Sequence, residues 1–483
     1  MRIPKRHERG ARLFFGGHAF VAVMALVLIT LFILREAVLF FPQYHEELER
    51  NRACGMELAE EMRAATDELL TPVQALRELQ ASLPDPQKEQ VGALAAELED
   101  AVFPLLDFVV QRQAEARNFR AGKGGNGKAG EATDVPGYGI ASWERRYTAQ
   151  FLDRWRSVRS QLRSASGRIP SEAAGMEALE RWRAGIERQL RYPVEERLAE
   201  ASPQAPPPYL ATLGRFFLGH HWVTNSFNQD IYGLLPLFAG TLLVSGIASL
   251  LAIPLGVGSA LYVNQFARPW ERSFLKPGLE FLAAFPTVLL GFIGVVFWGE
   301  IVQSLTAFPL IRDLEGFPLS DRLNAFTAGT LLAFVAVPLI FTLSEDALAS
   351  VSRDHTEASF SVGATRVQTL FRVVLPAASP GLVSAVLLGF GRLMGETMIV
   401  LLVAGNRIAI PGTMGGGTPL VFEPVHTMTG IIAQEMGEVS FGSLHYRALF
   451  VVAAMLFLTT LFFNHLARWI TRPARRRAQM QAR

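Results

Sequence analysis

The stretch that decides the fold runs from Glu357 to Pro376 and reads EASFSVGATRVQTLFRVVLP. It lies between two apolar runs, Ala325–Leu343 and Pro380–Ala404. Within it, Glu357-Ala358-Ser359, Gly363, Val373 and Leu375-Pro376 follow the spacing E-A-S-x3-G-x9-V-x-L-P. Few positions are fixed, but they keep register across the whole loop, between two runs of membrane length.

Four more apolar runs lie outward from this loop: Phe14–Leu34, Leu234–Val263, Phe281–Ile301 and Ala448–Leu466. Runs of this kind suit a hydrocarbon layer of ~30 Å. Pro254, Pro286 and Pro338 would break helices in water, but membrane helices tolerate proline. The chain has 483 residues, 50% hydrophobic and 19% charged, with mean hydropathy +0.24. That balance fits an all-α polytopic membrane protein with one soluble insertion. A net charge of +2 gives no basic field for nucleic acid. Cys54 is the single cysteine, so no intrachain disulfide and no cysteine-based metal site can form. No lipobox-like triplet precedes it, which argues against a lipid anchor there.

The first run follows Arg2, Lys5, Arg6, Arg9 and Arg12 and meets Arg35-Glu36 without a small-residue cleavage site. It reads as an uncleaved anchor. Six spans put both termini on one side. Arg268, Arg272, Lys276, Arg353, Arg366, Arg372 and the Arg-rich tail fall on the same side as the N-terminal cations. The short loops on the other side hold mainly Arg312, Arg322 and Arg407. The positive-inside rule therefore places the termini and the patterned loop in the cytoplasm.

The expected organisation is a cytoplasmic N-terminus and first span over 1–40, an extracytoplasmic insertion over 41–230, a five-span core over 231–467 with its loop at 345–376, and a basic cytoplasmic tail over 468–483. Loops as long as the insertion escape the charge rule. Glu46–Gln80, Lys88–Arg120, Ser142–Ser164 and Ser171–Ala199 have helical spacing. Ala121–Gly139 is Gly-rich, and Ala201–Pro208 reads as a linker. The insertion is either a sensor or partner-binding module or a decoration without chemistry. Gly122–Lys128 matches a phosphate-loop pattern, but Ala129 stands where a hydroxyl is needed and no apolar strand leads in. It reads as a Gly/Lys linker.

The second constellation is Gly389-Phe390-Gly391-Arg392-Leu393-Met394-Gly395-Glu396-Thr397. Arg392 falls near the midpoint of the fifth run, where a charge costs ~2.5–3.5 kcal/mol. Arg392 and Glu396 are spaced to share one helix face. In one reading Arg392 offers a planar, multi-donor cation to a passing oxyanion, and Glu396 tempers it. In the other the two are a structural ion pair. Gly391 and Gly395 form a G-x3-G pair suited to close helix packing. With Gly389 they also mimic a dinucleotide fingerprint, against which the membrane context argues.

The loop at 357–376 resembles the EAA loop of ABC-importer permeases, the short helix by which such a subunit docks on its ATPase. GRLMGETMIVLLVAGN (Gly391–Asn406) and LEFLAAFPTVLLGFIGVVF (Leu279–Phe297) resemble the phosphate ABC-transporter permeases. The wording is closer to PstC-type subunits than to their PstA-type partners. The resemblance covers about Leu234 to Leu466 and leaves the insertion out. It implies a type I importer fold, with a PstA-type second permease, an ATP-binding subunit dimer and a periplasmic phosphate-binding protein as partners. It implies that ATP and Mg stay on the ATPase, with no cofactor in this chain. It carries Glu357, Ala358, Gly363, Leu375 and Pro376 to the docking loop, and Arg392, Glu396 and Thr397 to the phosphate pathway. Ser359 stands for the second Ala of the family pattern. The resemblance implies a non-catalytic pore subunit in a bacterial inner membrane.

Readings of other classes are an importer for sulfate or molybdate, with the same docking loop, and a membrane sensor built on the external domain. A sensor of that layout needs a kinase or cyclase domain after its spans, where this chain has a short Arg-rich tail. An intramembrane enzyme lacks its motifs: no His/Glu zinc motif, Ser–His pair or carboxylate dyad falls in the spans.

Overall fold

Apolar residues recur in this chain in two ways, as narrow stripes in the insertion and as continuous runs elsewhere, and each builds its own unit. The computed structural model describes residues 5–82, 85–120, 140–168, 194–201, 208–224, 230–309, 317–319, 321–412 and 419–481. The phosphate-loop-like stretch at Gly122–Lys128, most of the helical pattern at 171–199, the linker at 202–207 and Arg312 lie outside those residues. One unit comprises Pro42–Thr212 and Asn225–Asp230; the other comprises Met1–Phe41, Leu213–Thr224 and Ile231–Arg483.

The first helix, α1, runs unbroken from Lys5 to Ala53. The expected boundary near residue 40 coincides with the division between the units at Phe41/Pro42, although the helix itself does not break there. The break comes instead at Gly55, with φ 73°, inside the segment whose pattern suggests one helix over Glu46–Gln80. Gly55 meets the left-handed turn that ends a helix. Across this corner Arg52 donates from Nε and Nη2 to the two oxygens of Glu57, at 2.7 and 3.0 Å.

The insertion unit is a helical bundle of α2 (Met56–Ser82), α3 (Asp85–Arg120), α4 (Ile140–Arg168) and α5 (Val194–Glu200). Leu58, Met62, Leu69, Val73 and Leu76 on α2 keep helical spacing and bury one stripe. It meets Val91, Leu98, Val102, Leu105 and Val109 of α3 and Phe151, Trp155, Val158 and Leu162 of α4. Arg197 fastens α5 by donating to Glu61 and Glu68 of α2. The Arg112 guanidinium stacks 4.1 Å from the Tyr147 ring centre, joining α3 to α4.

The helix α6 (Tyr209–Leu218), whose residues from Leu213 on belong to the other unit, leads to a two-stranded hairpin, β1 (Trp222–Val223) and β2 (Ile231–Tyr232). Then follow α7 (Leu235–Gln265), α8 (Pro269–Ala283), α9 (Thr287–Thr306), α10 (Ala325–Ala349), α11 (Arg353–Ser361), α12 (Arg366–Gly395), α13 (Met398–Val403), α14 (Met428–Glu435) and α15 (Leu444–Gln481). Among the described residues six helices are long and apolar enough to cross a membrane, matching the six apolar runs.

Among the run boundaries that move, two cut a run short. Phe281 belongs to α8, and the third span starts after a break at Ala284–Pro286. Pro286 is extended, with ψ 129°, and proline turns the residue before it away from helix. The fifth run does not continue to Ala404. Its helix stops at Gly395, and α13 is a separate short piece.

The unit centres on α10, which packs between α7 and α12. Gly256 of α7 and Gly389 of α12 both approach Ile340 closely, and a Cβ at Gly389 would fall 2.5 Å from its side chain. Small residues let backbones draw near where lipid supplies no hydrophobic drive. The α1 helix joins through Glu36, which accepts from Arg447 Nε of α15 at 3.3 Å.

Candidate functional site

The patterned loop folds as a helix, a left-handed corner and a second helix. Ser352 caps α11, its Oγ accepting from the Asp354 N–H at 3.2 Å. The α11 helix buries none of its residues; Glu357 and Ala358 stand exposed on it. Gly363 ends it at φ 83°. The Gly363 N–H donates to Phe360 O at 2.9 Å, and that of Ala364 to Ser359 O at 3.2 Å, which satisfies the last carbonyls of the helix. Thr365 then starts α12 with a reciprocal cap. Its Oγ1 accepts from the Gln368 N–H, and Gln368 Oε1 accepts from the Thr365 N–H at 2.9 Å. Ser359 and Thr369 share a hydrogen bond of 2.9 Å that ties the two helices. Phe360 and Val362 remain 47% and 84% exposed at this corner.

Leu375 and Pro376 do not lie in the loop. They fall inside α12, so the connection between helices is shorter than 345–376: α10 ends at Ala349 and α12 starts at Arg366. Leu375 is half-buried, packed on a core cluster, and Pro376 is exposed. Just before them, Leu370–Val374 forms a widened turn in which the Leu375 N–H donates to Leu370 O. Pro376 has no N–H and its ring crowds the carbonyl four residues back, so the helix widens there.

The Arg392 end differs from the reading of a mid-span charge pair. Arg392 sits in the last turn of α12 and is exposed. Glu396 follows the helix in extended backbone, φ −73° and ψ 130°. Among the described residues no ion pair joins the two. The shared helix face is lost because the helix ends between them. The Glu396 N–H donates to Leu393 O at 3.3 Å, and its carbonyl accepts from Thr429 Oγ1 at 3.0 Å. Thr397 is half-buried and opens α13. Gly391 and Gly395 are not a close-packing seam within this chain. A Cβ on Gly391 would meet Thr460 at 3.8 Å, an ordinary contact, and Gly395 has nothing within 4 Å. The close approach falls to Gly389.

The residues around this break were not singled out from the sequence. Thr427 caps α14, its Oγ1 accepting from the Gly430 N–H at 3.1 Å. The Met428 N–H donates to Thr241 Oγ1 of α7 at 2.9 Å. The ring of His426 accepts from the Thr427 N–H at Nδ1 and faces Gln434 Oε1 from Nε2 at 3.1 Å. Burial pushes its pKa below the ordinary imidazole value, outweighing the contrary pull of Gln434 and Glu435. At the other end of α14, Glu435 accepts from Thr224 at 2.8 Å, from Trp222 Nε1 at 3.2 Å and pairs with His445 at 2.8 Å. Burial pushes the Glu435 pKa up, but those hydrogen bonds outweigh it and leave it below the ordinary carboxylate range. The T-x-x-G of Thr427–Gly430 was the available signal; the rest comes from segments far apart in sequence. Among the described residues no group of three or more His, Cys, Asp or Glu is placed to hold a metal.

Among the described residues, six helices of membrane length with an exposed helix between the fourth and fifth are the architecture of a polytopic membrane protein. The binding-protein-dependent transport system inner membrane components match residues 252–476. A probable ABC transporter permease protein, YqgH of Bacillus subtilis, is 32% identical over 241 residues, covering 50% of this chain and 72% of that one. The phosphate transport system permease protein PstC of Pasteurella multocida is 31% identical over 260 residues, covering 52% and 77%. PstC 1 of Mycobacterium tuberculosis is 31% identical over 258 residues, covering 51% and 74%. The chain belongs to the family of binding-protein-dependent transport system inner membrane components, and so is a multi-pass inner-membrane permease of the ABC-importer class.

Proposed function

We propose that this chain is the PstC-type pore subunit of an ATP-driven importer of inorganic phosphate. The observation that carries the coupling half of this reading is α11: a capped helix with no buried residue, fixed by a glycine corner and presenting Glu357, Phe360 and Val362 outward. Such a face suits a protein partner. In this reading the partner is an ATP-binding subunit dimer, which holds ATP and Mg; this chain binds no cofactor and catalyses no reaction. A PstA-type permease completes the pore and a periplasmic phosphate-binding protein delivers the ion. The termini and α11 face the cytoplasm and the insertion the periplasm, as the cation distribution supports.

The phosphate half rests on the relatives named PstC and on Arg392. An exposed guanidinium in the last turn of a helix offers several donors to an oxyanion. With Glu396 out of the helix, no ion pair with it ties up the guanidinium. The test is uptake of labelled phosphate and labelled sulfate, side by side, in cells with and without this chain. Loss of phosphate uptake alone supports the reading; loss of sulfate uptake alone assigns the pore to another oxyanion, and loss of neither removes both ions.

A further inference from the structure

The last turn of α10 carries a buried carboxylate that no part of the reading above uses. Glu345 has 8% of its side chain exposed, and its Oε2 lies 2.7 Å from Lys276 Nζ of α8. Arg272, one turn earlier on the same helix, stands 3.8 Å from Oε1. The α8 helix buries no residue; it is held to the bundle by half-buried Leu275 and Leu279 and by these two cations. On the other side of the same α10 turn, Gly381 of α12 approaches Ala347 so closely that a Cβ would fall 2.5 Å from it. The end of α10 is thus gripped by α12 through a steric contact and by α8 through an ionic one. The exposed α11 starts at Arg353, two turns of chain beyond Glu345.

We propose that Glu345 is a positioning residue for coupling: its pair with Lys276 sets where α10 ends and therefore where α11 is presented. A buried carboxylate must keep a cation or be neutralised. Glu345 reaches Lys276 at 2.7 Å and Arg272 at 3.8 Å from the same position, so the two cations clamp one carboxylate and hold the end of α10 in a single register along α8. The start of α11 is set with it. The inference rests on the coupling role of α11 proposed above.

The test uses the complete transporter in proteoliposomes and reads solute moved per ATP hydrolysed. Glu345→Gln is expected to lower that ratio about tenfold, the scale of a coupling free energy of 1–3 kcal/mol. Lys276→Gln is expected to do the same, and the exchanged pair Glu345→Lys with Lys276→Glu to restore most of it. A parental ratio in Glu345→Gln overturns the proposal, as does an exchanged pair no better than either single change. Should Glu345→Gln fail to assemble, Lys276→Gln, at a half-buried position, decides alone: a parental ratio there overturns the proposal. A parent complex whose ATP hydrolysis drives no uptake refutes the importer reading itself, and the strut with it; normal parental coupling with an unaltered Glu345→Gln refutes the strut alone.

Discussion

The two ends of α12 are made in different ways. At Arg366 the helix starts from local chemistry: a glycine corner at φ 83°, a Thr365–Gln368 cap, and one hydrogen bond from Ser359 to Thr369. At Gly395 it stops beside Arg392 and Glu396, between two apolar stretches, and distant groups hold the break, with Thr429 bonding the Glu396 carbonyl and Thr241 the N–H of Met428. A helix end built from neighbours in sequence can be read from sequence. One built from neighbours in space cannot.

This contrast can be broken most sharply at Gly363. Gly363→Val forces a β-branched side chain into left-handed backbone, at a cost of about 1–2 kcal/mol or more, and misdirects the exposed α11. Phosphate uptake is expected to be abolished while the protein still inserts, as is expected for Glu357→Lys; normal uptake by well-expressed variants removes the docking role. At the other end, Arg392→Gln is expected to lower uptake about tenfold, on the scale of losing a charged hydrogen-bonding partner, with assembly kept. Unchanged uptake there favours a structural role for Arg392.

Packing gives a third, more local comparison. Gly389→Leu inserts a side chain against Ile340 and is expected to destabilise by about 1–3 kcal/mol, read as a lower melting temperature in detergent. Gly395→Ala is expected to leave it unchanged, since nothing lies within 4 Å of that position in this chain. Equal effects would restore a Gly391/Gly395 seam.

The break at Gly395 also carries an acid dependence through α14. Glu435 has its pKa held below the ordinary range, so its stabilisation is complete above the ordinary carboxylate value and is lost as pH falls through the lowered one. The groups facing it are Thr224, Trp222 and His445, with the buried His426 nearby. Melting temperature is expected to fall as pH drops below the ordinary carboxylate value, and Glu435→Gln to remove that part of the fall. The smallest effect is expected at Thr365→Ala, about 1 kcal/mol of local helix stability, measured as faster hydrogen exchange in the first turn of α12.

Much of the fold was legible because membrane spans announce themselves by length and composition. Each of the six runs contributed a membrane-length helix, and the helical spacing over Glu46–Gln80, broken once at Gly55, and over Lys88–Arg120 became helices that share a buried core. Boundaries failed where apolar composition outlasts the helix. Phe281 reads as span but belongs to α8, and Met398–Val403 reads as the end of the fifth span but is a separate piece. The site was half legible. Glu357, Ala358 and Gly363 lie on the exposed turn, whereas Leu375 and Pro376 fall inside the next helix, and Arg392 and Glu396 part company.

The number of spans and the helical nature of the insertion could be read from the chain alone, because hydrophobic length and helical spacing are each set by adjacent residues, and the E-A-S-x3-G spacing marked where Gly363 turns the loop. Tertiary structure alone decided that α12 ends at Gly395, that Gly389 is the tight contact, and that Glu345 and Glu435 are paired. Those outcomes depend on which helix approaches which: Ile340 against Gly389, Thr429 against Glu396 and Lys276 against Glu345 are separated along the chain by dozens of residues and meet only when the bundle packs.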